Sequence, residues 1–217
     1  MKQVYAPGCA LMIYKPELAE KVLQFLNKDQ GDITEHLICC RHKPELEIGT
    51  RIINTCAGCD KRYSELYSGI STISLWEILA ESDTFPFPDY KGTKMTIHDA
   101  CPTRTEVRVH NAIRKLLERM NIEIIEPVHT RTGAICCGDS FYGILPVELV
   151  KEQMKKRSRE MPRENVVVYC VSCIKAMHIG GVKPRYIVDL LFGEETVPGT
   201  YEPDLWHNEL NKFIEEH

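Results

Sequence analysis

The chain has 217 residues, 43% hydrophobic and 27% charged, with a formal net charge of -4. That length gives one large domain or two small ones, and the balance indicates neither disorder nor a general affinity for nucleic acid. The start, Met1 to Cys9, carries no apolar stretch of signal-peptide type, and no segment approaches the roughly 18 apolar residues of a membrane span. A cytoplasmic location with no transmembrane segment and no nucleic-acid partner is therefore expected.

In chain order, Gln3-Val4-Tyr5 reads as a short strand. Residues 16–27 read as an amphipathic helix, with Leu18, Val22, Phe25 and Leu26 on one face. Ile38-Cys39-Cys40 follows, then a strand over 51–55 that delivers Cys56, then a turn into a short helix over 72–79. Pro86, Pro88 and Gly92 break regular structure between residues 83 and 92. The pattern then starts again: a strand at Met95-Thr96-Ile97, and a helix over 106–120 with Val109, Ile113, Leu116, Leu117 and Met120 on one face. Ile135-Cys136-Cys137 comes next, then a helix after Pro146, a strand over 166–169 that delivers Cys170, and a turn into a short helix over 186–191. Past a loop with Pro198, Gly199 and Pro203, Asp204 is expected to N-cap a final helix carrying Leu205, Trp206, Leu210, Phe213 and Ile214. That helix is expected to pack on the body or on a partner subunit.

Strands alternating with helices imply parallel sheets with ligands at the strand C-termini. The expected fold is α/β: two tandem Rossmann-like parallel-sheet halves related by an internal repeat, the first half shortened. The halves are read as residues 1–88 and 89–195, followed by a C-terminal loop and helix over 196–217.

The repeat is strongest in the cysteines. Cys9, Cys39, Cys40, Cys56 and Cys59 read as a single, an adjacent pair and a CxxC; Cys101, Cys136, Cys137, Cys170 and Cys173 repeat that order, and no cysteine is left over. Disulfides would need an oxidising compartment, and adjacent cysteines bridge each other poorly. Reduced thiols are the better reading. A CxxC brings two sulfurs to one metal centre, an adjacent pair suits a larger inorganic core, and five thiolates per set exceed the four of a structural zinc. Backbone N–H groups and helix N-termini after the cysteines can offset the negative charge, as can Lys61, Arg62, Lys175, Arg104 and Arg108.

With these motifs the sequence resembles the cysteine-rich CCG domain, which occurs twice in the B subunit of heterodisulfide reductase. The same domain is found in iron–sulfur subunits of glycolate oxidase, anaerobic glycerol-3-phosphate dehydrogenase and lactate-utilisation enzymes. The resemblance spans about residues 1–192. The second copy carries His98-Asp99-Ala100-Cys101-Pro102, Cys136-Cys137-Gly138 and Cys170-Val171-Ser172-Cys173 at spacings the family uses. The first copy departs from it: Arg41 follows Cys40, and 15 residues separate Cys40 from Cys56 against 32 between Cys137 and Cys170. The missing length is about one helix, so the first half is expected to lack one crossover. The resemblance implies two noncubane [4Fe-4S] clusters with cysteine ligands only, one held by Cys9, Cys39, Cys40, Cys56 and Cys59 and the other by Cys101, Cys136, Cys137, Cys170 and Cys173. It further implies facing clusters that deliver two electrons to a disulfide or related sulfur substrate. The electrons would come from a ferredoxin-like iron–sulfur subunit or a flavoprotein, since the dense ferredoxin cysteine run is missing.

Other residues carry weaker expectations. His98, three residues before Cys101, is a candidate proton donor to a leaving thiolate. His36, His42, His129 and His178 are assigned no role. Arg104, Arg108 and Arg131 are candidates for an anionic substrate tail. The run Lys155-Lys156-Arg157-Ser158-Arg159 reads as a solvated helix face, or as a dock for an acidic electron carrier. No GxGxxG, Walker A or HExxH motif is present. Two other readings stand beside the redox enzyme. One is a non-catalytic electron-transfer subunit of a lactate- or glycolate-type dehydrogenase. The other is a zinc or dithiol protein using Cys56-Ala57-Gly58-Cys59 like thioredoxin, which leaves the other eight cysteines unexplained.

Overall fold

The computed structural model describes residues 2–199 and 202–217. The chain forms two compact units, one made of residues up to Phe85 together with Glu209–His217, the other of Pro86–Asn208. Among the described residues no helix is long and apolar enough to cross a membrane.

The first unit runs β1 (Gln3–Ala6), α1 (Cys9–Tyr14), α2 (Pro16–Gln30), β2 (Thr34–Glu35), β3 (Arg51–Asn54), α3 (Ala57–Leu66), β4 (Ser71–Ser74) and α4 (Leu75–Glu81). Its strands form one parallel sheet in the order β2-β1-β3-β4. Ile52 and Ile53 on β3 are fully buried, as expected of a central parallel strand covered on both faces. Helix α2 opens on Pro16, whose missing N–H costs nothing at the first helical position, and stops at Gly31 with φ 83°. It buries Leu18, Val22 and Leu26, while Phe25 packs edge-on against Phe85 at 4.9 Å. Helix α4 begins with a capping box: Trp76 N–H donates to Ser74 Oγ, and Ser74 N–H donates to Glu77 Oε2 at 3.1 Å.

The second unit runs β5 (Thr93–His98), α5 (Val107–Arg119), β6 (Ile122–Ile125), α6 (Val147–Ser158), β7 (Asn165–Val168), α7 (Val171–Ile179), β8 (Lys183–Tyr186) and α8 (Ile187–Leu191), with the first part of α9 (Pro203–Glu216). Its parallel sheet has the order β6-β5-β7-β8, which repeats the first unit strand for strand. Val109, Ile113, Leu116, Leu117 and Met120 are all buried, so the apolar stripe of α5 faces the core.

The α/β class and the repeated parallel halves are therefore as read from the sequence. The shortening is also specific. Between β6 and β7 lies α6, and between β2 and β3 there is no helix. Three readings change. The runs at 72–79 and 186–191 are entered by the strands β4 and β8 rather than by turns. The edge strands β2 and β6 and the helix α1 had no counterpart in the sequence reading. Asp204 lies inside the first turn of α9, where its carboxylate accepts from Tyr142 O–H at 2.7 Å, instead of capping it.

Helix α6 also explains why glycine follows the adjacent cysteine pair in the second half and not in the first. Gly138 sits at φ 111°, and a Cβ there would stand 2.7 Å from Met154 N and 2.8 Å from Met154 Cγ, both on α6. Only glycine tolerates that approach. Arg41, at the same point of the first half, is exposed and has no such helix over it. Gly138→Ala is expected to cost about 2–3 kcal/mol of stability, whereas Arg41→Ala should stay within about 0.5 kcal/mol. Chemical denaturation of the two variants checks the contrast.

Candidate functional site

In each unit three loops at the carboxyl end of the sheet bring five cysteines together. Strand β1 ends at Ala6 and leads to Cys9, the first residue of α1; its hydrogen-bonded neighbour β3 ends at Asn54 and leads to Cys56, the N-cap of α3. Cys59 is the third residue of that helix. In the second unit, β5 leads to Cys101 at the start of a 3-10 turn, and β7 leads to Cys170, the N-cap of α7, with Cys173 third in the helix. The adjacent pair arrives on the loop after β2 or after β6. The strand order reverses between β1 and β3 and between β5 and β7, which is where open parallel sheets hold their ligands.

All ten cysteines carry free thiols. In the first unit the thiols act on one another in one series: Cys9 with Cys39, Cys39 with Cys40, Cys40 with Cys59 and Cys59 with Cys56. In the second the series is Cys101 to Cys136, Cys136 to Cys137, Cys137 to Cys173 and Cys173 to Cys170. The two series have the same order of motif positions. Every cysteine the sequence reading named is thus gathered with the other four of its own half.

The series decides where negative charge rests. Cys39 accepts from Cys40 and Cys9 and from the Arg41 N–H, which holds its thiol far below the ordinary range. Cys136 accepts from Cys101, Cys137 and Ser140 and from the Gly138 N–H, at 3.3 Å for the last, and is held down likewise. Cys9 and Cys101, as donors to those sulfurs, are pushed up. Cys40 is pushed up to about 12, chiefly by donating to Cys39. Cys56 is lowered to about 7 by the Cys59 thiol, with the backbone N–H groups of Cys59 and Gly58 adding to it. Backbone N–H groups therefore supply compensation, from the start of α3 at Cys56 and from the turns after the adjacent pairs at Cys39 and Cys136.

The basic side chains do other work. Arg62 Nε donates to Cys40 O at 3.5 Å, and Arg104 Nε to Ala134 O at 2.7 Å, so both steady the backbone near an adjacent pair. Lys61 pairs with Glu65, Arg108 with Glu106, and Lys175 donates to Pro198 O at 2.7 Å. Arg131 donates through NH1 to Asn111 Oδ1 at 2.8 Å. In the basic run at the end of α6, Lys156 and Arg159 are exposed as a solvated face requires, but Arg157 departs from that reading: it is only 1% exposed and donates to His98 Nδ1, Glu160 Oε2 and His129 O.

Two features were missed. His36, given no role from sequence, is buried and lines the first pocket with Cys9, Cys39, Cys40 and Cys59, its Nε2 without a hydrogen-bond partner. The end of α9 also reaches that pocket: Phe213 lines it, and Cys39 N–H donates to His217 O at 3.2 Å. A histidine isolated in sequence and a helix more than 150 residues away carry no local signal.

His98 is fully buried at the end of β5, and one of its ring nitrogens lies within 4.8 Å of the Cys137 and Cys173 sulfurs. Burial, and after it the Arg157 cation, lower its pKa to about 4, so at neutral pH the ring is uncharged. Its neighbour Asp99 is the anchor of the second pocket. Asp99 accepts both guanidinium NH groups of Arg114 at 2.6 and 2.8 Å, the Arg131 N–H at 2.7 Å, Thr130 O–H at 2.9 Å and Tyr169 O–H at 3.1 Å. This ties the Cys101 turn to the loop that carries Cys136.

No family model matches the sequence, and no curated protein matches it. Among solved structures, the aspartate racemase of Picrophilus torridus aligns over 99% of this chain and 100% of its own, at 10% identity and a TM-score of 0.34. A likeness that low carries no argument, so the site speaks through its own chemistry. Ten clustered cysteines and a buried group of His98, Cys137 and Cys173 form a potential metal-binding assembly. The donors are almost wholly soft sulfur, five to a pocket, a set that fits an iron–sulfur cofactor and exceeds what one zinc accepts.

Burial alone would raise the Asp99 pKa; the Arg114 hydrogen bonds and charge, with Arg131 N–H and Thr130, outweigh it and hold the carboxyl below the usual carboxylate range. A depressed folded-state pKa contributes stability that is present above the unfolded value, about 4, and is lost as pH falls through the folded value. Asp99→Asn is expected to cost about 3 kcal/mol at pH 7, because it breaks a buried pair from one side. The variant should also lose less stability than the wild type as pH drops below about 4. Urea unfolding across that pH range measures both effects.

Proposed function

We propose that this chain is an iron–sulfur redox protein of the heterodisulfide reductase B type, passing electrons to a disulfide or related sulfur substrate. Each five-cysteine pocket would hold one [4Fe-4S] cluster of noncubane type: Cys9, Cys39, Cys40, Cys56 and Cys59 in the first unit, Cys101, Cys136, Cys137, Cys170 and Cys173 in the second. The observation that carries this reading is the identical placement of five free cysteines at the carboxyl end of two matching parallel sheets. Cysteines kept for packing or for a single CxxC reaction would have no reason to repeat it.

When bound, such clusters supply one-electron carriage and an iron open to a substrate sulfur. The chain's own groups do the rest. The CxxC sulfurs are fixed by the first turn of α3 and of α7. The adjacent pairs are fixed by backbone N–H donors to Cys39 and Cys136. Tyr63 O–H donates to Ile38 O at 3.1 Å and holds the loop ahead of Cys39, as Arg104 does ahead of Cys136. Cys39, Cys40, Cys59, Cys137 and Cys173 are buried, while Cys9, Cys56, Cys101, Cys136 and Cys170 remain partly exposed. Each pocket therefore has a closed side, where water is excluded, and an open side from which a thiol or disulfide can approach. The electrons would come from a ferredoxin-like subunit or a flavoprotein.

Anaerobic purification followed by iron and acid-labile sulfide analysis tests the reading. About four irons per pocket are expected. Cys40→Ser should remove one cluster's worth, and Cys137→Ser or Cys173→Ser the other's, because hard oxygen replaces soft thiolate. Zinc without labile sulfide would overturn the proposal. With an artificial donor the wild-type protein should reduce a small disulfide; electron relay without disulfide reduction would instead mark a subunit of a lactate- or glycolate-type dehydrogenase.

A further inference from the structure

Buried polar atoms without partners are rare and ask for an explanation. His98 Nε2 is one, in a residue that is fully buried. The other ring nitrogen is accounted for: Arg157 Nε donates to His98 Nδ1 at 3.2 Å. A guanidinium N–H can only donate, so Nδ1 must present its lone pair. An imidazolium has no such lone pair, and the Nδ1–H tautomer would set two donors against each other. The ring is therefore neutral, with its proton on Nε2. A ring nitrogen of His98 lies within 4.8 Å of the Cys137 and Cys173 sulfurs, and with Nδ1 taken and Nε2 bonded to no protein atom, Nε2–H is the group left free for the contents of the pocket.

We propose that His98 is a positioning residue of the second pocket, its Nε2–H held ready to donate to a sulfur of the bound cluster, and neither a metal ligand nor an acid. This rests on the reading that the pocket holds an iron–sulfur cluster. The alternative, His98 completing a metal site with Cys137 and Cys173, runs against the usual arrangement. A ligating histidine donates its second N–H to a carboxylate or carbonyl, and here the second nitrogen faces a donor. In the first half Ala6 occupies the same place, three residues before Cys9, so His98 acts on the second pocket alone. Donors to cluster or thiolate sulfur stabilise the reduced, more negative state and raise the reduction potential.

The tests separate this inference from the reading beneath it. In the iron-free full chain labelled with 15N-histidine, His98 should show the Nε2–H tautomer at neutral pH. An Nδ1–H tautomer or an imidazolium overturns the proposal, whatever metal the protein holds. In anaerobically prepared protein, redox titration followed by EPR should show two centres. His98→Leu should disfavour reduction of one of them about tenfold, a shift of about 59 mV for a one-electron couple, and leave the other unmoved. Leucine leaves the buried Arg157 Nε without an acceptor and risks the fold, so His98→Gln is the decisive variant. Its amide oxygen can accept from Arg157 while its NH2 donates to sulfur. It should keep full iron and a potential near the wild-type value. Loss of one cluster's iron from a folded His98→Gln protein would make His98 a ligand, and an unmoved potential in a folded His98→Leu protein would make it structural; either result overturns the proposal. Wild-type protein free of iron and sulfide would sink the cluster reading and leave the tautomer result to be judged alone.

Discussion

The pairing of β1 with β3, and of β5 with β7, is the constraint on which each sulfur pocket depends. Neighbouring parallel strands lie roughly 5 Å apart, so residues just past their carboxyl ends cannot escape one another. The single cysteine and the first cysteine of the CxxC leave such neighbours. Their separation is set by backbone hydrogen bonds and not by any property of sulfur. The strand order then places the loop after β2, or after β6, on the other side of the same crevice, where it supplies the adjacent pair. A helix started at the CxxC turns its first N–H groups toward the place where thiolate charge collects. Fold and site are here one arrangement seen at two scales.

The repeat preserves that arrangement while changing what supports it. In the second unit the loop bearing Cys136 and Cys137 is pinned from beneath by Asp99, Arg114 and Thr130, and covered by α6. In the first unit Pro7 stands where Asp99 would be, and no helix corresponds to α6. The loop there is held instead by Tyr63 and Arg62 on α3 and by the carbonyl of His217, while Asn54 and Asp60 brace the CxxC turn through a 2.8 Å hydrogen bond. Glycine after the adjacent pair is thus a demand of the covering helix and not of the metal site, since the N–H that reaches the preceding sulfur is a backbone group any residue can offer. This is why Arg41 can stand where Gly138 must.

Much of this was legible in the sequence, and the reasons for the rest are specific. The cysteine order, the helix stripes and the 17-residue difference between the two halves carry the repeat and its shortening, because spacing and periodicity survive translation into structure. β2 was not legible: Thr34 and Glu35 are two exposed residues with no alternation to detect. β6 was, since Ile122, Glu123 and Ile124 alternate, but the run is short and follows a helix directly. The stripe Ala10 to Ile13 belongs to α1, a helix too brief to show a period. Arg157 looked solvated among Lys155, Lys156 and Arg159, and only the three-dimensional neighbourhood of His98 and His129 turns it inward. Long-range partners of that kind have no sequence period to betray them.

Five sulfurs in one crevice raise a problem of charge that the order of the thiols answers. Five adjacent thiolates would repel one another strongly in a half-buried site. The chain instead favours ionisation at the second sulfur of each series, Cys39 or Cys136, where backbone N–H groups already point, and disfavours it at the sulfurs on either side. Uptake of a metal must then expel the remaining protons, so metal affinity and pH are linked in both pockets. The supports described above decide how much the loops give while this happens. A pocket whose adjacent pair is tied to a buried ion pair and roofed by a helix has little freedom to adjust. One whose pair hangs on tyrosine hydroxyls and a terminal carbonyl has more. The two halves therefore share a donor set and differ in stiffness, and it is the stiffness, set outside the sulfur series, that evolution can alter without touching a single cysteine.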